Sequence, residues 1–160
     1  TLGGIEAFCK HAGGFEAKRC GEITGSWGHA GPDALGIRVS KKAVLLGVGV
    51  LPTVTNPATT SWTVEVRDAK GSSLSITTQT PGHHEGPKII LLSHPVVMES
   101  ETEYHVMTKN DNGADTKHCQ SCLTSISSGN FTLDFFKSTH DENGTRPSSG
   151  QIPSLLLLPI

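Results

Sequence analysis

The side chains of this chain with chemistry to offer are four cysteines, eight histidines and fifteen carboxylates. Cys119-x-x-Cys122, with His118 beside it, has the spacing of half a zinc site or of a redox pair. A structural zinc needs four ligands, normally from two close pairs, and Cys9 with His11 or with Cys20 makes a poor second pair. A thioredoxin-type motif sits between a strand and a helix. Here the turn-forming Asn110-Asp111-Asn112-Gly113 precedes the motif and a β-like segment follows it. The reading that remains is two thiols on a loop or strand end, with no metal and no cofactor.

An even cysteine count also admits two disulfides in a secreted domain. Asn130-Phe131-Thr132 and Asn143-Gly144-Thr145 are glycosylation sequons that point the same way. Against this, a chain of 160 residues buries roughly two thirds of its unfolded surface and needs no staple. Free thiols in an intracellular compartment are therefore the expectation.

Other catalytic constellations fare no better. His83 and His84 are adjacent, so an extended backbone points them to opposite faces, and His94 before Pro95 reads as a turn. Glu65, Glu99, Glu101, Glu103 and Asp134 are the acids that a glycosidase-like pair would draw on. The alternating run Glu99-x-Glu101-x-Glu103 instead reads as a solvated strand face. There is no nucleophile elbow and no phosphate-cradling loop before a helix, and Gly47-x-Gly49 falls inside a strand pattern. No catalytic residue is assigned.

One loop stands out, Ser26-Trp27-Gly28-His29-Ala30-Gly31-Pro32-Asp33. Small residues around an aromatic ring, opening directly into a strand, are the make-up of a binding spot on a rigid scaffold. Trp27, His29, Pro32 and Asp33 are the candidate partner-binding residues. Trp27 is the one expected to plug the end of the fold, and His29 and Asp33 are expected to meet the partner.

The elements that position this loop are strands. Leu35, Ile37 and Val39 alternate with polar or small residues, as do Val44 to Val50, Trp62 to Arg67 and Phe131 to Phe135. That is the period of a strand with one buried face. Low charge (18%), 18 Gly and 9 Pro suit short strands and turns. No stretch shows helical periodicity. The expectation is an all-β, antiparallel sandwich of about 8–11 short strands, with 1–160 as a single domain and its core over about 14–159. The net charge of −2 and two isolated basic pairs exclude a nucleic-acid track. Lys18-Arg19 and Lys41-Lys42 read as a solvated turn and a strand end. No apolar run approaches the ~18 residues of a membrane span. The start at Thr1, without Met or a signal sequence, reads as a segment of a longer chain.

The segment Ser26-Trp27-Gly28-His29-Ala30-Gly31-Pro32-Asp33-Ala34-Leu35 resembles the opening motif of the PHR domain, named for Pam, Highwire and related proteins. Asn143-Gly144-Thr145 and Gly150-Gln151-Ile152-Pro153 resemble the closing motif of that family. Leu45-Leu46-Gly47-Val48-Gly49-Val50 and His94-Pro95-Val96-Val97 through Tyr104 resemble segments between them. The likeness departs at Ser26, where the family usually has Gly, and at His29, where it usually has an aromatic. The resemblance implies a β-sandwich that binds a protein partner and catalyses nothing itself. Its settings are large neuronal RING-type E3 ubiquitin ligases acting in axon and synapse development, and BTB-domain adaptors of cullin ligases. Phe136-Lys137-Ser138 ahead of the closing motif is closer to the ligase copies. The parent is then intracellular, and the isolated domain is expected to be monomeric. A secreted carbohydrate-binding or adhesion sandwich is the remaining alternative.

Overall fold

The computed structural model describes residues 2–54 and 60–160. The loop expected over Pro52–Pro57 lies, from residue 55 onward, outside the described residues. Among the described residues a helix, α1 (Leu2–His11), is followed by twelve strands. They are β1 (Phe15–Lys18), β2 (Glu22–Trp27), β3 (Asp33–Val39), β4 (Ala43–Val50), β5 (Trp62–Asp68), β6 (Ser73–Gln79), β7 (Lys88–Met98), β8 (Tyr104–Asn110), β9 (Thr116–Gln120), β10 (Ser125–Ser128), β11 (Phe131–Lys137) and β12 (Ser154–Pro159). Every pairing is antiparallel.

Two layers enclose the core, as period two predicts. One sheet runs β1-β12-β4-β7 and the other β10-β11-β3-β8-β5-β6; β2 and β9 form a separate ladder. Leu35, Ile37, Val64, Val66, Val106 and Leu133 from the larger sheet meet Leu45, Val48, Val50, Ile90, Leu155 and Leu157 from the smaller. Burying each such side chain contributes roughly 1.5–3 kcal/mol. Phe15 packs edge-on against Phe131 at 5.8 Å between ring centres. The count of twelve exceeds the expected range because the separate β2–β9 ladder is built from short strands with little apolar alternation.

Two glycines of β4 allow close packing of neighbouring strands. A Cβ on Gly47 would lie 2.6 Å from Ile89 Cγ2, and one on Gly49 would strike Ser154. The register between β4 and β7 shifts between Leu45 and Gly47. His94-Pro95 falls in the stretch of β7 that this shift leaves unpaired. The turn expected there is an irregularity within one strand, where proline's missing N–H costs no ladder bond.

The helix corrects the expectation of an all-strand chain. Ile5, Phe8 and Cys9 fall at helical spacing, and Lys10 and His11 occupy the last turn, where cations suit the helix dipole. Cys9 is fully buried against Ile89 and Leu156, and its backbone oxygen accepts from Gly14 N at 2.6 Å.

Two further expectations are overturned. Arg19 is not in a solvated turn but has no exposed surface. Cys20 and Cys119 are joined in a disulfide, with Cys9 buried and Cys122 half-buried as free thiols. Four free cysteines were expected because the fold needs no staple. The staple arises because the β2–β9 ladder brings together residues 99 positions apart.

Candidate interaction surface

Asp33 opens β3, and its carboxylate is buried where the 26–33 loop meets the long polar segment before β12. A charge removed from water persists only when hydrogen-bonded. Here three donors converge. Trp27 Nε1 donates to Oδ1 at 3.2 Å and Thr145 Oγ1 to the same oxygen at 2.7 Å. Asn143 Nδ2 donates to Oδ2 at 3.1 Å and also to Gly28 O at 2.6 Å. The segments at the two ends of the sequence reading thus meet at one carboxylate.

Asp141 supports this arrangement from the other side. Its Oδ1 accepts from Ala34 N at 2.9 Å and Thr145 N at 3.3 Å, and its Oδ2 from Gly144 N at 2.8 Å. Thr145 Oγ1 in turn accepts from Gln151 N at 2.9 Å. Glu142 N donates to Pro32 O at 3.0 Å.

His29 sits beneath the loop with no exposed side-chain surface. Its Nδ1 lies 3.5 Å from Asp33 Oδ2, its Nε2 lies 2.8 Å from Thr116 Oγ1, and its ring packs edge-on to Trp62 at 5.5 Å. Of the four candidate residues, His29 and Asp33 therefore hold the loop from inside. Their side chains offer no atoms to a partner in this conformation, contrary to the expectation that these two would meet it. Trp27 is half-buried, its ring 5.2 Å from that of His118. Pro32 lines a groove of about 230 Å³ with Thr63, Glu65, Arg67, Met107 and Lys109. What faces solvent on the loop itself is Ser26, Gly28 and Ala30, flanked by Glu142 and Gly144.

The groove's floor belongs to the outer face of the larger sheet. Arg67 makes two bonds to Glu65, at 3.0 and 3.1 Å. Burial pulls the Glu65 carboxyl upward, but hydrogen bonds from Arg67 and Ser73 and the Arg67 charge outweigh it and leave it below the ordinary value. His105 Nδ1 lies 2.7 Å from Ser138 Oγ, with the His140 ring at 4.8 Å. Burial, helped by the charge of His140, pushes His105 below the ordinary histidine value. Three of the other acids named from the sequence are also engaged: Glu103 with Arg38 at 3.3 Å, Glu99 with Lys42 at 3.5 Å, and Asp134 with Ser125 at 2.7 Å.

Arg19 is the structural residue that sequence reasoning missed. Its guanidinium donates to Ile152 O at 2.7 Å, Pro147 O at 2.9 Å, Arg146 O at 3.2 Å and Ser149 O at 3.5 Å, and also to Gln151 O. Five carbonyls match the five donors of the guanidinium. Ile152 adopts a φ of 61°, rare for a β-branched residue, and its carbonyl is one of those that Arg19 holds. The only hint in the sequence was the Gly150-Gln151-Ile152-Pro153 string.

No group of three or more His, Cys, Asp or Glu among the described residues is arranged to hold a metal ion. No helix among them is long and apolar enough to cross a membrane. The family model of the PHR domain matches residues 18–158. No curated protein matches the chain in sequence. That match covers all of the elements that surround Asp33 and Arg19, leaving outside it α1 and most of β1, and on it the chain belongs to the PHR domain family.

Proposed function

We propose that this chain is a non-catalytic protein-interaction domain, monomeric by itself, whose contact surface is the outer rim of the 26–33 loop together with the 141–146 segment. The observation that carries this is the Asp33 carboxylate. Three side chains and, through Thr145, the backbone of Gln151 are satisfied there, so two connecting segments are locked into one shape. Loops fixed by a rigid scaffold are where binding concentrates. The side chains of His29 and Asp33 are committed to structure inside the loop, whereas Gly28, Ala30 and Glu142 present exposed surface at its rim.

The parent we infer is a large RING-type E3 ubiquitin ligase of the Pam/Highwire type, acting inside the cell in axon and synapse development. The string Phe136-Lys137-Ser138, which resembles the ligase copies, favours the ligase over a BTB adaptor. The coding sequence of the whole gene product decides this point: a RING segment supports the ligase, and a BTB segment overturns it.

The Cys20–Cys119 disulfide favours a second reading, a secreted adhesion sandwich. Asn143 opposes it, because both amide hydrogens that a glycan site would need to rearrange are already donated, to Gly28 and Asp33. A photo-crosslinking residue placed at Ala30 tests the surface. It is expected to trap a protein, whereas the same residue at Ser128 on β10 is not. Equal trapping at both positions would refute the assignment.

A further inference from the structure

Three of the four cysteines converge at one end of the β2–β9 ladder. Glu22 pairs with Gln120 and Ile23 with Cys119. Carried two residues outward, the same register would set Cys20 opposite Cys122. Two contacts bring the two segments together there. Leu123 N donates to Arg19 O at 2.8 Å, and a Cβ on Gly21 would strike the Ser121 carbonyl. Ser121 itself has a φ of 53°, which turns the chain between the two cysteines of Cys119-x-x-Cys122. Cys20 is bonded to Cys119 at 5.3 Å between Cα atoms, so the chain bends out of the regular ladder at this end, and the free Cys122 follows three residues after Cys119.

We propose that Cys20, Cys119 and Cys122 form a thiol–disulfide exchange site. The Cys122 thiolate attacks Cys20 Sγ, so a Cys20–Cys122 bond forms as the Cys20–Cys119 bond breaks. Cys119 leaves as a thiolate and takes up a proton equivalent to the one Cys122 gave to water. One disulfide and one thiol stand on each side of the step, so no oxidant or reductant is consumed.

Access and charge suit this direction. Cys20 and Cys122 are half-buried, whereas Cys119 has no exposed surface. Cys20 lines a groove of about 310 Å³ with Lys18, Ile23, Pro87 and Pro153. Arg19, the residue next to Cys20, carries a cation whose hydrogen-bond partners are all neutral carbonyls. Burial depresses its pKa, and the negative charge of Cys122 acts to raise it.

The test uses the full chain purified without reductant and held at about pH 8.5, where an ordinary thiol is half ionised. Acid quenching, alkylation of free thiols and peptide mapping then read the pairs. The expected result is growth of a Cys20–Cys122 pair with Cys119 alkylated. That product is lost in Cys122→Ser, which keeps the original pair, and is retained in Cys9→Ser, whose thiol is remote and buried. An unchanged Cys20–Cys119 pair in the wild type would overturn the proposal. Four alkylated cysteines at the outset would do the same, and a Cys119–Cys122 pair would overturn the assigned attack on Cys20.

Discussion

Asp33 ties two segments together through its side chain, because its carboxylate answers three side-chain donors from both of them. Replacing it by Ala strands the Trp27 N–H, the Thr145 hydroxyl and the Asn143 amide. The expected loss is about 3 kcal/mol, read from urea midpoints. Arg19 is its counterpart on the closing segment. Lysine keeps the charge but cannot span five carbonyls, so Arg19→Lys is expected to cost about 2–3 kcal/mol in the same assay. A loss under about 0.5 kcal/mol would place these groups outside the folding energetics. Neither role was legible in the sequence. Asp33 was picked out as a surface contact because loops rich in Gly and polar residues read as exposed. Arg19 was assigned to solvent because its partners are backbone carbonyls 127 to 133 positions away, which leave no mark in side-chain types.

Strands, by contrast, announce themselves when one face is apolar. β3, β5 and β11 follow the alternation of the sequence, whereas in β4 the buried face passes from Leu45 to Val48 across a register shift. β2, β9 and β10 are short and polar, so their existence depends on partners that the sequence does not name. The helix went unseen because ten residues give under three turns of pattern, and two of its positions are Gly. At this scale the cluster spanning β5, β8 and the end of β11 gives a pH prediction. The fold holds His105 below its ordinary value, so the unfolded chain binds that proton more readily. Stability is therefore unaffected well above about pH 6.5 and falls as pH drops below it, through the window down to the lowered folded value. His105→Gln, which retains a partner for Ser138, is expected to lose less melting temperature than the wild type between about pH 7.5 and about pH 5.5. Equal losses would contradict the burial argument.

For the molecule as a whole, the arrangement places α1 and β12 on the smaller sheet and gathers the 26–33 loop, the 141–146 segment and β9 at one end. The disulfide contributes there by closing a loop of 99 positions in the unfolded chain. Replacing both Cys20 and Cys119 by Ser is expected to cost about 4 kcal/mol under non-reducing conditions. That cost should vanish in excess dithiothreitol, where the wild type falls to the variant's level. The proposed contact surface is only partly legible at this scale. Its loop stands out by composition, but which of its side chains face outward depends on a segment more than a hundred residues later.

The claim that the loop rim, and not its buried carboxylate cluster, makes the contact is tested most directly by paired affinity capture and melting. Ala30→Arg with Glu142→Lys changes only exposed positions. The double variant is expected to melt with the wild type and to lose a protein partner that the wild type captures. Retention of every partner by a normally folded double variant would contradict the account.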